Sequence, residues 1–395
     1  MYDARGFRFL VAGGILELCK RLEYLPDEVV SGTLNPMKEP IQHSPLASLT
    51  TLELGGPADW LIEATSVTEI REALRWAGGA EIPITVIGGG SNVVVADRGV
   101  GGLVLKIANR GIEIDRGPHG AIVTAAAGED WDELVRSTVG ENLAGIECLS
   151  GIPGTAGATP IQNVGAYGQE VADVLTSVRV LHRETLEETN LTPADCDFGY
   201  RSSVFRRADN PYIILEVVLR LDEGGAPNLG YAQVAERFEG GPQPTLGELR
   251  AVILDLRRSK SMVIDDDDPN RRSVGSFFVN PVVDQPTFES VVASARVIGV
   301  LGFDQFPPAH QVGEDRQKLS AAWLVESAGF PRGATRGRVG VSTKHALALI
   351  HRGQGSSEEL IRFARDIRRG VRAHLGIDLK PEPVFWGFDQ DDPTA

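Results

Sequence analysis

The sequence predicts an α+β protein with more than one domain, on three observations. The chain has 395 residues with ordinary apolar and charged fractions, which is enough for two or three hydrophobic cores. Predicted helices and strands are interspersed along it. The glycine run Gly88–Gly90 leads into Val93–Val95, whose β-branched residues favour a strand, whereas a Rossmann-type dinucleotide-binding fold would begin a helix there. A Rossmann fold is therefore disfavoured.

The first half of the chain combines short strands with two well-marked helices. No element is predicted before residue 46, and residues 1–45 are interpreted as an N-terminal extension of unknown role. Ser66 and Glu69 have the spacing of a helix capping box, and Gly78 marks the end of that helix. The other predictions are a helix at Trp131–Thr138, an extended stretch at Thr51–Leu54, and strands at Asp59–Glu63, Pro83–Ile87, Gly102–Ile107, Ala121–Ala127, Val178–Leu181 and Ile213–Leu221.

The second half is divided by a run of four carboxylates at Asp265–Asp268. Such a run is typical of a solvated linker rather than of a metal site, so we place a domain boundary there. Ser356 and Glu359 form a further capping box ahead of a long amphipathic helix. The other predictions are a helix at Leu246–Leu256, a helix at Lys318–Ala328, a turn into a strand at Gly340–Ile350 and a closing segment at Pro381–Phe385.

Composition excludes several classes of function. The formal net charge of -15 argues against nucleic acid and anionic membrane as partners, although a local basic pocket for a small anion is compatible with it. Cys19, Cys148 and Cys196 are far apart, which argues against a disulfide framework or zinc and favours a reducing compartment. The histidines show no metal-ligand spacing, so we expect no metal. The apolar run Phe9–Leu16 is too short to span a bilayer.

The most informative stretch is Gly145–Gly168, which combines many glycines with short uncharged polar side chains. Glycines let a backbone approach a ligand closely. Thr155, Thr159, Gln162 and Asn163 can donate and accept hydrogen bonds, so the loop suits a phosphate or a planar heterocycle held among backbone amides. A plain glycine-rich connection between strands is the alternative, and composition alone leaves both open.

Five motifs in consistent order resemble one family, the UDP-N-acetylenolpyruvoylglucosamine reductases. Each motif alone is weak, but the ordered set is specific, and the similarity extends from about Leu46 to the final strand. The motifs are GGGSN at Gly88–Asn92, IPGTAGATPIQNVGAYG at Ile152–Gly168, FGYRSSVF at Phe198–Phe205, GSFFVNP at Gly275–Pro281 and PEP at Pro381–Pro383.

The resemblance implies an FAD enzyme that takes hydride from NADPH and reduces a UDP-sugar enolpyruvyl ether to UDP-N-acetylmuramate. It implies a two-part FAD-binding domain of the vanillyl-alcohol oxidase (PCMH) type at residues 46–262, with lobes at about 46–108 and 109–262. A separate α+β substrate-binding domain is expected at 270–376, and a C-terminal strand at 377–395 is expected to return to the FAD-binding domain.

The resemblance also implies the binding residues. Those expected to bind FAD are Gly88, Gly89, Gly90, Ser91, Asn92, Gly154, Thr155, Gly157, Ala158, Thr159, Gln162, Asn163, Gly165, Ala166 and Tyr167. Those expected to bind substrate are Tyr200, Tyr231, Lys260, Asn280 and His345. Tyr231 matches the branch of the family with a substrate-gating tyrosine loop. Phe306 stands where many relatives have a tyrosine.

Arg201, Ser276 and Glu382 are implied as the catalytic residues. An enol ether accepts hydride only if the charge that develops beside its carboxylate is stabilised and an acid protonates the neighbouring carbon. Arg201 can form a fork of hydrogen bonds with a carboxylate, and by resemblance it acts with Glu382. Ser276 corresponds to the family's proton donor.

Two alternatives stay open at the level of sequence. A flavin oxidase or dehydrogenase of the same fold, acting on a small alcohol or hydroxy acid, would share the glycine loops but would not need the GYR, GSFF and PEP motifs. A nucleotide-sugar binding protein would have kept the pocket and lost the chemistry. We expect FAD to be bound non-covalently, since no attachment motif is present, and we expect a cytoplasmic monomer.

Overall fold

A computed structural model describes residues 38–118 and 120–395, so most of the predicted N-terminal extension lies outside the described residues. The helices are α1 Val67–Gly79, α2 Trp131–Gly140, α3 Val171–Val174, α4 Pro193–Cys196, α5 Ala232–Ala235, α6 Leu246–Arg258, α7 Gln285–Val297, α8 Ala321–Ser327 and α9 Ser357–Leu375. None of the helices in the described residues has the length and apolar composition needed to cross a lipid bilayer.

The strands pair into several small sheets. In chain order they are β1 Ile41–Pro45, β2 Pro57–Ala64, β3 Ile84–Ile87, β4 Val93–Val95, β5 Val100–Ile107, β6 Ile112–Gly117, β7 Gly120–Ala126, β8 Leu143–Ala144, β9 Gly165–Ala166, β10 Gln169–Glu170, β11 Leu175–His182, β12 Glu188–Leu191, β13 Tyr212–Glu223, β14 Val282–Asp284, β15 Ala309–Val312, β16 Arg316–Leu319, β17 Thr335–Arg336, β18 Val339–Val341, β19 Leu349–His351 and β20 Val384–Trp386.

The first sheet has the order β1-β2-β5-β3, with parallel pairing everywhere except between β1 and β2. Helix α1 buries Ile70 and Leu74, and its predicted cap is confirmed because Ser66 Oγ accepts a hydrogen bond from Glu69 N at 3.2 Å. Strand β1 falls within the segment interpreted as an extension, and its mostly exposed side chains carry no alternation that would predict a strand. Thr51–Leu54 contains no strand, contrary to the predicted extended stretch.

The second sheet is antiparallel, with the order β12-β11-β13-β7-β6, and β8 pairs with β13. Its inner face shares one core with α1 and α2. Trp131 at the start of α2 is fully buried and donates from Nε1 to the carbonyl of Leu149 at 3.1 Å. This bond ties the helix to the glycine-rich stretch Gly145–Gly168, which contains Leu149.

The C-terminal half packs two three-stranded sheets, β14-β16-β15 and β17-β18-β19, against α7, α8 and α9. Its core includes Phe277 and Phe278. The capping box of α9 is confirmed, since Ser356 and Glu359 satisfy each other's backbone N–H groups. The helix predicted from Lys318 begins only at Ala321, because Ser320 caps it and Lys318 belongs to β16.

Strands β4 and β20 pair in parallel, so Val384 lies opposite Val93. The prediction of a strand after the glycine run is therefore confirmed. Val384 N also donates to the carbonyl of Asn92 at 3.0 Å. This pairing brings Glu382 beside the GGGSN motif.

The carboxylate run is only partly a solvated linker. Asp265 to Asp267 are exposed, whereas Asp268 is buried and accepts hydrogen bonds from Ser261 Oγ at 2.7 Å and Lys344 Nζ at 2.9 Å. These bonds connect the end of α6 to the segment before β19. Residues 38–395 form one unit, and the proposed division into domains stays a prediction.

Candidate active site

One cavity of about 750 Å³ is lined by residues from all five motifs. Its size is within the usual range for small-molecule sites. Of the residues predicted to bind cofactor, those on its wall are Gly88, Gly89, Gly90, Ser91, Asn92, Thr155, Gly157, Ala158, Thr159, Gln162, Gly165, Ala166 and Tyr167. Segments nearly 300 residues apart in sequence therefore converge on a single space.

The two glycine loops pack backbone against backbone. A Cβ added to Gly89 would lie 2.7 Å from Gly154 Cα, and one added to Gly90, which has a φ of +61°, would meet the carbonyl of Leu49. Ser91 Oγ donates to the carbonyl of Pro153 at 3.0 Å, which fastens the loops together. Only glycine permits this approach.

Gly154 and Asn163 do not line this cavity. Gly154 is the partner of Gly89 in the contact between the loops. Asn163 is buried with a φ of +44°; its Nδ2 donates to Glu170 Oε2 at 2.8 Å and its Oδ1 accepts from Ala172 N at 3.0 Å. Its side chain therefore braces the loop against α3.

Arg201 and Glu382 form an ion pair on the cavity wall. Arg201 has a φ of +53°, and its Nε lies 3.1 Å from Glu382 Oε1 while Nη2 donates to the carbonyl of Gly165 at 2.9 Å. Burial raises the pKa of the Glu382 carboxyl, and the positive charges of Arg201 and Arg206 oppose that rise. The protonation of the Glu382 carboxyl therefore depends on the charges of Arg201 and Arg206.

Ser276 is half-buried on the same wall. Gly275 before it has a φ of +73°, and Ser276 forms an isolated bridge with Ala348. The carbonyl of the next residue, Phe277, accepts from Glu382 N at 2.9 Å. All three residues predicted to be catalytic therefore line one cavity, on segments that are bonded to each other.

A basic end of the cavity is formed by Lys260, Arg257 and His345. Lys260 Nζ lies 5.5 Å from the ring centre of Tyr167, and Tyr231 packs edge-on against the same ring at 5.3 Å. Burial, with the charges of Lys260 and other cations, lowers the pKa of His345 to about 4, so its imidazole is neutral at pH 7. No carboxylate lies within 4 Å of the Lys260 or Arg257 cation in the described residues.

Two of the predicted substrate residues do not line the cavity. The ring of Tyr200 is 39% exposed and lies between the cations of Arg201 and Lys318, with Lys318 Nζ 4.8 Å from its centre. Asn280 Oδ1 accepts from Ala321 N at 2.8 Å at the start of α8. Phe306 is 65% exposed and packs beneath Arg296.

Sequence reasoning missed four arginines that line the cavity, Arg183, Arg206, Arg207 and Arg257. The Nε atoms of Arg183 and Arg257 are buried with no hydrogen-bond partner, and burial lowers the pKa of Arg257 to about 10. Arg257 Nη2 donates to the carbonyl of Met262 at 2.6 Å, which leaves its positive charge without a counter-ion within 4 Å among the described residues. A buried cation in that situation is unfavourable unless an anion pairs with it. The two packed glycine loops, at Gly88–Gly90 and around Gly154, form a glycine cradle. This cradle and these cations fit an elongated anionic ligand with planar parts, such as FAD.

Comparisons with known proteins decide the family. Residues 58–185 match the FAD binding domain, and residues 267–386 match the C-terminal domain of UDP-N-acetylenolpyruvoylglucosamine reductase. The enzyme of that name from Streptomyces coelicolor is 44% identical over 363 residues, covering 91% of this chain and 93% of the relative. The chain belongs to the UDP-N-acetylenolpyruvoylglucosamine reductase family.

Other members of the UDP-N-acetylenolpyruvoylglucosamine reductase family agree with this assignment. The Mycolicibacterium smegmatis relative is 43% identical over 353 residues, with 87% of this chain and 94% of the relative covered. The crystal structure of the Thermus caldophilus reductase (MurB) has the same fold, with a TM-score of 0.59 at 24% identity over 88% of this chain and 98% of that one. The expected fold class, an FAD-binding domain combined with the reductase C-terminal domain in a mixed helix and strand fold, is confirmed.

Proposed function

We propose that this protein reduces UDP-N-acetylenolpyruvoylglucosamine to UDP-N-acetylmuramate, for peptidoglycan precursor synthesis, using FAD and NADPH. The observation that carries the proposal is the convergence of Arg201, Glu382 and Ser276 on one cavity that also contains the glycine cradle. Family membership supports the same activity.

The glycine loops would hold the cofactor. Gly88–Asn92 and the wall residues from Thr155 to Tyr167 present main-chain groups and short polar side chains to the cavity, which suits a diphosphate and a flavin ring. FAD bound there would supply the hydride-transfer chemistry that links NADPH to the enolpyruvyl double bond. The protein residues orient the substrate and the cofactor, stabilise the negative charge that develops on the substrate, and donate a proton.

Arg201 and Glu382 would stabilise the negative charge that moves onto the substrate carboxylate during reduction. The Arg201 guanidinium donates to carboxylate oxygens. Because burial raises the pKa of Glu382, its protonated form can donate a hydrogen bond to the same charge. Because the side chains of Arg201 and Glu382 are largely buried, such contacts are stronger than at an exposed surface.

Ser276 would supply the proton that completes the reduction. Hydride adds to one alkene carbon, and the Ser276 Oγ–H protonates the carbon that bears the carboxylate. In the described residues Ser276 Oγ has no hydrogen-bond partner within the protein, so its hydroxyl is available to the substrate.

The basic end of the cavity would hold the phosphates of the nucleotide sugar and of NADPH in turn. Lys260 and Arg257 provide positive charge with no carboxylate within 4 Å among the described residues, and Tyr231 on Tyr167 can cover the bound diphosphate. His345 contributes a neutral imidazole. Tyr200 and Asn280 stay candidates for substrate contacts beyond the cavity wall.

The proposal includes a location and an oligomeric state. Cys148 and Cys196 are buried free thiols, which is consistent with a reducing compartment. We assign the enzyme to the cytoplasm, where nucleotide sugars and NADPH are available, and propose that it acts as a monomer. Light scattering of the FAD-loaded protein tests the monomer assignment, and a mass of twice 42.5 kDa contradicts it.

The deciding experiment is an anaerobic absorbance titration of the flavin-loaded protein. Stoichiometric NADPH should bleach the flavin, and UDP-N-acetylenolpyruvoylglucosamine should restore its colour with formation of UDP-N-acetylmuramate. Bleaching without recovery would contradict the substrate assignment, and failure to bind FAD would favour a nucleotide-sugar binding protein.

Ser276→Ala separates the two half-reactions. The variant should be reduced by NADPH at the normal rate and reoxidised by substrate more slowly by about 100-fold or more, since a positioned proton donor contributes roughly 10²–10⁴-fold. Equal slowing of both half-reactions would contradict the role of Ser276.

A further inference from the structure

Arg206 lies where three of the motif segments meet. It follows the FGYRSSVF motif, lines the cavity and is partly buried. Its Nη2 donates to the carbonyl of Glu382 at 2.8 Å, and its Nη1 donates to Gln162 Oε1 at 3.0 Å. A weaker contact joins Nη1 to the carbonyl of Arg201 at 3.5 Å. One guanidinium thus bridges the glycine-rich loop, the GYR turn and the PEP segment.

Asn92 binds the same two acceptors from the other side. Its Nδ2 donates to Gln162 Oε1 at 2.9 Å and to the carbonyl of Glu382 at 3.3 Å. The N–H of Glu382 donates to the carbonyl of Phe277 at 2.9 Å. The backbone of Glu382 is therefore held at both its N–H and its carbonyl, and Arg206 supplies the charged donor of the set.

The charge of Arg206 is not neutralised by an ion pair with any of the described residues. In the residues that the structure describes, no carboxylate lies within 4 Å of its guanidinium. Burial lowers its pKa. The charged and titratable groups that face the Glu382 carboxyl are Arg201, Arg206 and Tyr200, with Lys318 beyond the Tyr200 ring. Arg206 can therefore affect the Glu382 carboxyl in two ways, by holding the Glu382 backbone in place and by its positive charge.

We infer that Arg206 is a positioning residue for the reduction, which holds the Glu382 segment against Arg201 through its bonds to the Glu382 carbonyl and Gln162. The inference rests on the proposed function, because it concerns the role of Glu382 in that reaction. Planar forked geometry explains why arginine is required, since lysine has one nitrogen and cannot reach both acceptors in this way.

The test compares Arg206→Met and Arg206→Lys in the FAD-loaded enzyme, with Arg136→Met as the control. Arg136 is an exposed arginine on α2 that pairs with Glu133. Stopped-flow absorbance measures flavin reduction by NADPH and reoxidation by UDP-N-acetylenolpyruvoylglucosamine separately, from pH 5 to 9. Flavin absorbance and near-ultraviolet circular dichroism verify folding of each variant.

For Arg206→Met we expect reoxidation to slow by roughly 10- to 100-fold, as for loss of charge-assisted hydrogen bonds, while reduction by NADPH changes far less. The apparent pKa of the carboxyl in the pH profile of reoxidation should rise, because a positive charge that favours its ionised form has been removed. Arg206→Lys should restore that pKa but only part of the rate. A merely structural residue would not produce this split.

A double-mutant cycle with Glu382→Gln distinguishes failure of this inference from failure of the proposed function. If Arg206 acts through Glu382, adding Arg206→Met to Glu382→Gln should slow reoxidation by less than threefold. A wild-type protein that is not reoxidised by the substrate overturns the proposed function. If Glu382→Gln is reoxidised slowly but Arg206→Met has a normal reoxidation rate and pH profile, the inference is overturned and the proposed function stands. Additive losses in the double variant also overturn it.

Discussion

Gly89→Ala tests whether close contact between the two glycine loops builds the cofactor cradle. The added Cβ would lie 2.7 Å from Gly154 Cα and 3.1 Å from its carbonyl carbon. Both are main-chain atoms, so no change of side-chain rotamer relieves the contact, and the loops must separate. Overpacking by one methyl group in a tight contact costs roughly 1–3 kcal/mol. If the free protein relaxes, this strain weakens FAD binding by roughly 5- to 150-fold.

The assay is a fluorescence titration of FAD with apoprotein, supported by thermal unfolding with and without FAD. Gly78→Ala is the matched control, because a Cβ there has no neighbouring atom within 4 Å. It should leave FAD affinity unchanged and raise the free energy of unfolding by about 0.5–1 kcal/mol, since alanine favours a helix over glycine. If Gly89→Ala binds FAD within twofold of wild type and unfolds at the same temperature, the reasoning from backbone contact is wrong.

Three further predictions follow from buried groups and from the cofactor. Burial alone would raise the pKa of Asp268, but hydrogen bonds from Ser261 and Lys344 hold it at about 2, below the unfolded value of 3.8. The lowered pKa adds about 2 kcal/mol to the free energy of unfolding above pH 4, and this contribution is lost as the pH falls towards 2. Asp268→Asn should therefore be less stable than wild type at pH 7 by about 2 kcal/mol in urea unfolding, and a gap that persists at pH 2 would contradict the argument. The pKa of His345 is lowered from 6.5 to about 4 in the folded protein, so on acidification the unfolded state takes up this proton before the folded state does. The free energy of unfolding of wild type should therefore fall by about 3 kcal/mol between pH 6.5 and 4. His345→Gln should lose less stability over that range in the same assay, and parallel pH curves for the two proteins would refute the argument. Denaturation should release all flavin into the supernatant, and yellow colour that stays with the chain would show covalent attachment.

Local signals in the sequence were sufficient for the elements that carry them. Ser66 and Ser356 each sit three residues before a glutamate, and both helices begin where that spacing predicts. Val93–Val95 forms the predicted strand because β-branched side chains suit an extended backbone. By contrast, β1 consists mostly of exposed residues and is held as a strand by its pairing with β2. This pairing is a tertiary contact, so the local sequence pattern does not predict it.

The site was predictable where a residue belongs to a motif and unpredictable where its role depends on neighbours brought together by folding. Arg201, Ser276 and Glu382 are identified through resemblance, and the structure places all three around one cavity. The local sequences around Arg206 and Asp268 are typical of charged residues on the protein surface. Their partners are Glu382 at one site and Lys344 at the other, each more than 70 residues away, so only the folded chain shows their contacts.

The pairing of β4 with β20 has a consequence for how the protein is made. Asn92 and Glu382, which it brings into contact, are 290 residues apart, so a ribosome must synthesise nearly the whole of the described chain before β4 can acquire its partner. Until then, the early strand presents open hydrogen-bonding groups, which are a risk for aggregation. A nascent or prematurely terminated chain lacks Glu382 and the second strand together. The fold therefore makes completion of translation a condition for assembling the catalytic wall.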